Sequence, residues 1–210
     1  PIMIAIMKNP QLVPIILECT HCSESVISAF DIDGWTPIML CSKYNWELLK
    51  DILESMYCTE EAIVHVGHRS VTPLMLACQY SIEAVKLLIG TGYYTEERLK
   101  FVNRTDETCL AIACKYLPEA VDIILSSPNC TASVLNYSSI YGATAFLIAV
   151  EHSAEATEYI MTSKYFRHQT FNAKYEDGTT ALHLACNFNI EVVPLLLNHK
   201  YCTPDYLKMR

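Results

Sequence analysis

Short apolar blocks, each opened by a threonine, recur along this chain at a constant interval. Thr36 opens TPIMLC, Thr72 TPLMLA, Thr108 TCLAIA, Thr144 TAFLIA and Thr180 TALHLA, each start lying 36 residues after the last. Pro1 to Ala5, reading PIMIA, continue the register backwards, so copies begin at 1, 36, 72, 108, 144 and 180. A polar break follows each block, at Asn45, Ser81, Ser153 or Asn189, and then a second apolar segment, such as EAVKLLI from Glu83 or EVVPLLL from Glu191. Repetition on this scale marks a solenoid: one unit buries too little alone, and stacking makes a continuous core. The two segments predict two helices per copy and an all-α fold class. Threonine at the N-cap with proline at the first helical position is a strong start signal, so Thr72-Pro73 should open a helix reaching about Tyr80. The second helix opens on an acidic column, Glu47, Glu83, Glu119, Glu155 and Glu191, where carboxylates sit well against the helix dipole. It should end near Leu53, Ile89, Leu125, Met161 and Leu197.

A third pattern follows the second helix. Cys22-Ser23, Cys58-Thr59, Cys130-Thr131 and Cys202-Thr203 align, with Tyr94-Thr95 in the third copy. Ile27, Ile63, Leu99, Leu135, Phe171 and Leu207 form an apolar column beyond them. Thr59-Glu60-Glu61 and Thr203-Pro204-Asp205 read as a cap and a first helical turn. A short third helical turn is therefore expected in most copies. Copy five, with Arg167-His168-Gln169, lacks the cap and is expected to be irregular there.

The T-P-L-H-x-A pattern, and Gly34, Gly142 and Gly178 two places before the threonine, resemble the ankyrin repeat. The resemblance covers essentially all 210 residues and implies a solenoid of about six turn–helix–helix units. The unit departs from the usual length of about 33 residues: its helix–helix turn is shorter and the segment after helix two longer. The Cys-Thr-x-x-x-Leu variant is similar to ankyrin arrays of giant DNA viruses of amoebae, which implies a viral protein acting in a host cell; similar arrays also occur in some intracellular bacteria and protists. Residues 1–210 read as a single array, and the apolar opening Ile2 to Met7, which is no polar cap, points to a fragment of a longer chain. In ankyrin arrays the finger tips and the inner face of helix one form a concave groove that takes a protein partner. By this resemblance the partner-binding residues are Ile32, Asp33, Trp35, His68, Arg69, Val71, Arg104, Glu107, Ile140, Tyr141 and Glu176 at the tips. A column on helix one, Tyr44, Tyr80 and Tyr116, adds to them. The rings of that column, which His152 and Phe188 continue, are expected to pack beneath the shortened turn with only their hydroxyls in solvent. Trp35 stands at a tip where packing gives it no evident task.

Composition narrows the chemistry. A net charge of −8 argues against nucleic acid, which is bound mainly through clustered lysine and arginine. No apolar run approaches the roughly 20 residues of a membrane helix. Ten cysteines invite a metal or disulfide reading, but nine fall in framework columns where a small, mostly buried side chain suits free cysteine. In-column cysteines should lie roughly 10 Å apart, as packed helices do, beyond disulfide reach. Free thiols imply a reducing compartment, cytoplasm or nucleus. The histidines do not converge; His183 is the ordinary histidine of TALHLA, which in ankyrin units commonly bonds between neighbouring loops. No catalytic set or phosphate loop is present, so no enzyme activity, metal or cofactor is expected. The leading reading is a non-enzymatic, monomeric protein–protein interaction scaffold. Its rival is the substrate-recognition module of a larger effector, a ubiquitin-ligase adaptor or toxin with its active domain elsewhere. A purely structural spacer would not carry Ile32, Trp35 and Tyr141 at its tips.

Overall fold

The computed structural model describes residues 1–208, which form six stacked units. The first helices are Ile2–Lys8, Pro37–Tyr44, Pro73–Tyr80, Cys109–Tyr116, Ala145–His152 and Ala181–Phe188. The second helices are Leu12–Glu18, Trp46–Glu54, Ile82–Gly90, Glu119–Ser126, Ala154–Thr162 and Val192–Leu197. No strand forms among the described residues; two isolated bridges, Ser138 with Thr144 and Lys174 with Thr180, are the only extended pairing.

The threonine column does what its position requires. Thr36, Thr72, Thr108 and Thr144 accept the backbone N–H three residues on through Oγ1, at 3.2–3.3 Å. That bond satisfies one of the donors a helix start leaves without an internal partner. In unit six His183 intervenes: its Nδ1 lies 2.9 Å from Thr180 Oγ1 and accepts the Thr180 N–H. The histidine thus bonds within its own unit, not to a neighbouring loop. Asn45, Ser81 and Ser153 cap the second helices of units two, three and five by the same geometry.

The third helical turn is present in every unit: Glu24–Ile27, Glu60–Ile63, Glu96–Leu99, Ala132–Leu135, His168–Phe171 and a 3₁₀ turn at Tyr206–Lys208. Unit five is not irregular there. Its cap is reversed, the Arg167 N–H donating to the Thr170 hydroxyl at 3.4 Å, so a threonine inside the turn replaces the missing one before it. The apolar column is buried from Ile27 to Phe171, but in unit six Tyr206 takes the interior place and Leu207 is exposed. The longer ring of Tyr206 reaches inward and its hydroxyl accepts the Leu182 N–H at 3.3 Å.

First helices of successive units pack side by side, and so do second helices. Between them runs the column Ala5, Cys41, Ala77, Ala113, Ala149 and Ala185, each at most 4% exposed. Ala113→Leu would insert three carbons where nothing can retreat, and should lower stability by about 1–3 kcal/mol. A denaturant titration reads it; an unchanged midpoint would mean the helices are not in close contact there.

The stack leaves its first unit uncovered. Ile4 is 68% exposed, whereas Leu40, Leu76, Ile112, Ile148 and Leu184, its equivalents, are buried. Leu12 stands likewise against Leu48, Ala84, Ala120, Ala156 and Val192. At the other end Cys186 is exposed although Cys78 and Cys114, its column mates, are buried. It lies on the face of unit six that no unit covers, which corrects the expectation of a buried thiol.

All ten cysteines are free. Burial pushes the Cys41 and Cys109 thiols up to about 12 and Cys58 and Cys130 to about 11, and raises those of Cys78 and Cys114 as well. Thiolate is the reactive form. A thiol reagent at pH 8 should therefore modify exposed Cys19 and Cys186 promptly, Cys58 and Cys202 slowly, and the six buried thiols only on unfolding. Prompt reaction of all ten on the native protein would contradict the packing.

Candidate functional site: the fingers and the first-helix ends

Between the third turn of one unit and the threonine of the next, the chain makes a finger. Each is closed by a backbone bond across five residues: Asp31 to Trp35, Gly67 to Val71, Asn103 to Glu107, Ser139 to Ala143 and Tyr175 to Thr179, at 2.9–3.1 Å. In three fingers the side chain at the start accepts amides of the tip. Asp31 takes those of Asp33 and Trp35, Asn103 those of Thr105 and Glu107, and Ser139 those of Tyr141 and Ala143. Such short polar side chains reproduce a turn's own hydrogen bonding, so local sequence sets these tips.

Neighbouring fingers are also joined. The Arg104 N–H donates to the Arg69 carbonyl and the Glu176 N–H to the Tyr141 carbonyl, both at 3.0 Å. Asp106, at φ 60°, reaches the next finger, accepting the Ile140 N–H at 2.5 Å and the Tyr137 hydroxyl at 3.1 Å. Gly34 and Gly142 permit this closeness: at φ 72° and 82°, a Cβ on either would stand 2.8 Å from backbone of the next finger. The tips thus form a tied row, not independent loops.

On that row the candidates separate. Ile32, Asp33, His68, Arg69, Arg104, Ile140, Tyr141 and Glu176 are exposed. Asp33, Trp35, His68, Arg69, Val71 and Arg104 come together, with Met39 and Leu76, around a cleft of about 590 Å³. Val71, Glu107 and Tyr116 line a smaller one beside it. Ile140, Tyr141 and Glu176 lie on later fingers, outside both clefts.

Three expectations need correction. Tyr44, Tyr80 and Tyr116 are about half exposed, at 53, 47 and 56%, and His152 and Phe188 are exposed too. As the last residue of the first helix, each ring projects past the turn instead of lying under it. Trp35 is half-buried and packs against the core, so it does have a structural task as well as an open face. Glu107 serves the fold: it pairs with Lys115 and accepts from Thr105 and Asn103. Burial disfavours its charge, but those hydrogen bonds outweigh it and hold the carboxyl below its ordinary range.

One residue was missed. The Lys43 ammonium lies 5.4 Å from the Trp35 ring centre, 4.8 Å from Tyr44 and 5.0 Å from Tyr80, within range for cation–π attraction. Its bond to Tyr44 is the main cause that raises its pKa. The signal was available: Met7, Lys43, Gln79, Lys115, Glu151 and Asn187 share a column that varies as freely as the tips. Among the described residues no cluster of histidine, cysteine or carboxylate side chains could hold a metal ion. Among the described residues no helix is long and apolar enough to cross a membrane.

The family model described as Ankyrin repeat matches residues 177–208. No curated protein matches the chain. Among solved structures, the chain is similar to the crystal structure of the ankyrin repeat domain of Bcl-3, described as a unique member of the IkappaB protein family. Identity is 18% and the TM-score 0.68, with 94% of this chain and 82% of that one covered. That likeness is one of fold. With its helix pairs, tied fingers and continuous core, this chain has the fold of an ankyrin-repeat solenoid.

Proposed function

We propose that the chain is a non-enzymatic, monomeric protein-interaction module that holds one partner protein along its finger and first-helix side. One observation carries this reading. Exposed aromatic and apolar side chains line that side where the framework does not need them: Ile32, Tyr44, Tyr80, Tyr116, Ile140 and Tyr141. Aromatic residues are enriched among the side chains that dominate binding energy. The row spans several units, which suits an extended protein surface better than one small ligand. The ten free thiols favour a reducing compartment as its place of action. The uncovered apolar face around Ile4 and Leu12 is read as the seat of a further unit of the same kind, since its equivalents are all used in that way.

The test is site-specific photo-crosslinking in cytosolic lysate. A benzophenone amino acid replacing Tyr80 should capture a partner, and one replacing Glu119, exposed on a second helix, should not. Capture from position 119 alone would place the interface on the helix-two side and end this reading.

A further inference from the structure

Resting on the finger-side reading, we infer that the cleft among the first three fingers takes an acidic peptide segment of the partner, with carboxylates flanking an apolar or aromatic side chain. The floor is apolar, formed by Trp35, Met39, Val71 and Leu76, and the rim carries Arg69 and Arg104. The backbone bond from Arg104 to Arg69 makes the two residues neighbours, so their guanidinium groups rise from adjacent points of one rim. Lys43, over the Trp35 ring, continues the positive surface onto the first helix.

The distribution of charge points the same way. The chain carries 23 acidic and 15 basic residues, so carboxylates are plentiful. Lys50, Lys86, Arg98, Lys100, Lys115 and Lys208 all pair with one. Arg69, Arg104 and Lys43 have no ion pair among the described residues, and neither do Lys8, Lys164, Arg167, Lys174 and Lys200. What sets the first three apart is that they gather beside one apolar floor, although Asp33 stands on the same cleft. Three unpaired cations beside one apolar floor form a surface complementary to a carboxylate-bearing chain. Guanidinium forks in particular match carboxylate geometry.

Arg69 adds a second reason. Its backbone is left-handed, φ 59° and ψ 22°, a conformation open to glycine but disfavoured by any Cβ. Folding alone would be served as well or better by glycine there. The arginine therefore supplies its side chain to the rim at a conformational cost.

The occupant is a peptide rather than a nucleic acid because only a few cations gather here, in a protein of net charge −8. Phosphate-backbone binding needs many basic contacts along the strand. The apolar floor suits an apolar or aromatic side chain and would give a phosphate chain nothing to hold.

Selection of a random dodecapeptide phage library on the whole chain tests the inference. Enriched peptides should be net negative and carry at least one Leu, Phe, Tyr or Trp. Arg69→Glu and Arg104→Glu should each weaken a selected peptide at least about tenfold, and added salt should weaken it further. Arg69→Gly, which removes the charge while relieving the backbone, should weaken binding without lowering the melting temperature. Lys174→Glu, an equal charge change on a distant finger, should leave binding unchanged. Neutral or basic winners, no enrichment at all, or equal loss with Lys174→Glu would overturn the inference. So would stronger binding of a twelve-residue oligothymidylate than of the best peptide. If non-acidic winners are still lost on Tyr80→Ala, the finger-side reading stands and only the acidic occupant falls. Winners that ignore Tyr80→Ala, Arg69→Glu and Arg104→Glu alike would remove both.

Discussion

Phe171→Ala should lower the unfolding free energy by about 3–5 kcal/mol, the range for truncating a large buried aromatic. Phe171 is fully buried in the third turn of unit five. Its ring centre lies 6.2 Å from Phe146 and 6.4 Å from Phe166 within that unit. From unit six, His199 stacks on it at 5.2 Å and Tyr206 lies 4.7 Å away. Truncation would leave a cavity and strip several aromatic contacts, each worth about 0.5–1.5 kcal/mol beyond area burial. The damage is specific because the ring joins two units. In a solenoid, stability is close to a sum of unit terms and nearest-neighbour interfaces. Weakening one interface should let unit six unravel before the rest. A guanidinium titration should thus show a lower midpoint and a shallower or two-step transition. A loss under about 1 kcal/mol with one sharp transition would mean that the cluster does not couple the units.

Trp35→Ala should weaken partner binding by about 2 kcal/mol or more, the scale of an anchor residue. Its ring forms the floor of the cleft beneath Arg69 and Arg104, with the Lys43 ammonium on it. Removing it takes away the widest apolar contact and releases Lys43 from one of its three rings. Because the ring also packs on the core, some stability should go with it, so the affinity loss needs a partner variant. Tyr80→Ala supplies it: a half-exposed side chain at a helix end should change stability by no more than about 0.5 kcal/mol and still weaken binding. Glu119→Ala should do neither. Isothermal titration with the captured partner reads all three, and a Trp35→Ala loss matched by none from Tyr80→Ala would reduce Trp35 to a packing residue.

Much of the architecture was legible because the repeat forces each framework position to be written several times. The Thr36-to-Thr180 column announces the caps, and the Ala5-to-Ala185 column the close helix contact, by plain repetition. What lay beyond a column was harder. Arg167 looks capless because the compensating hydroxyl, that of Thr170, sits inside the turn and appears in no other unit. Tyr206 takes the place aligned for Leu207 since a longer side chain can reach inward from one residue earlier. Cys186 shares its column with buried thiols but not their neighbours.

The candidate site was legible as a side of the molecule more than as a set of residues. Variation among copies marked the tips, and those residues do stand along one tied row of fingers. The cleft itself is assembled from Trp35, Val71, Arg69 and Arg104, which belong to three fingers, and no column shows how side chains of different units converge. Glu107 varied like a tip residue, yet Lys115, eight residues away, claims it. Lys43 escaped notice because its role depends on rings from two units, Tyr44 and Tyr80.

The central claim, that the partner lies along the fingers and first-helix ends, is tested most directly by hydrogen–deuterium exchange of the chain with and without the captured partner. Protection should rise over the finger segments 31–35, 67–71 and 103–107 and the first-helix ends at Tyr44, Tyr80 and Tyr116. The second helices Ile82–Gly90 and Glu119–Ser126 should be unchanged. Protection confined to those second helices, with the fingers exchanging as in the free protein, would contradict the account.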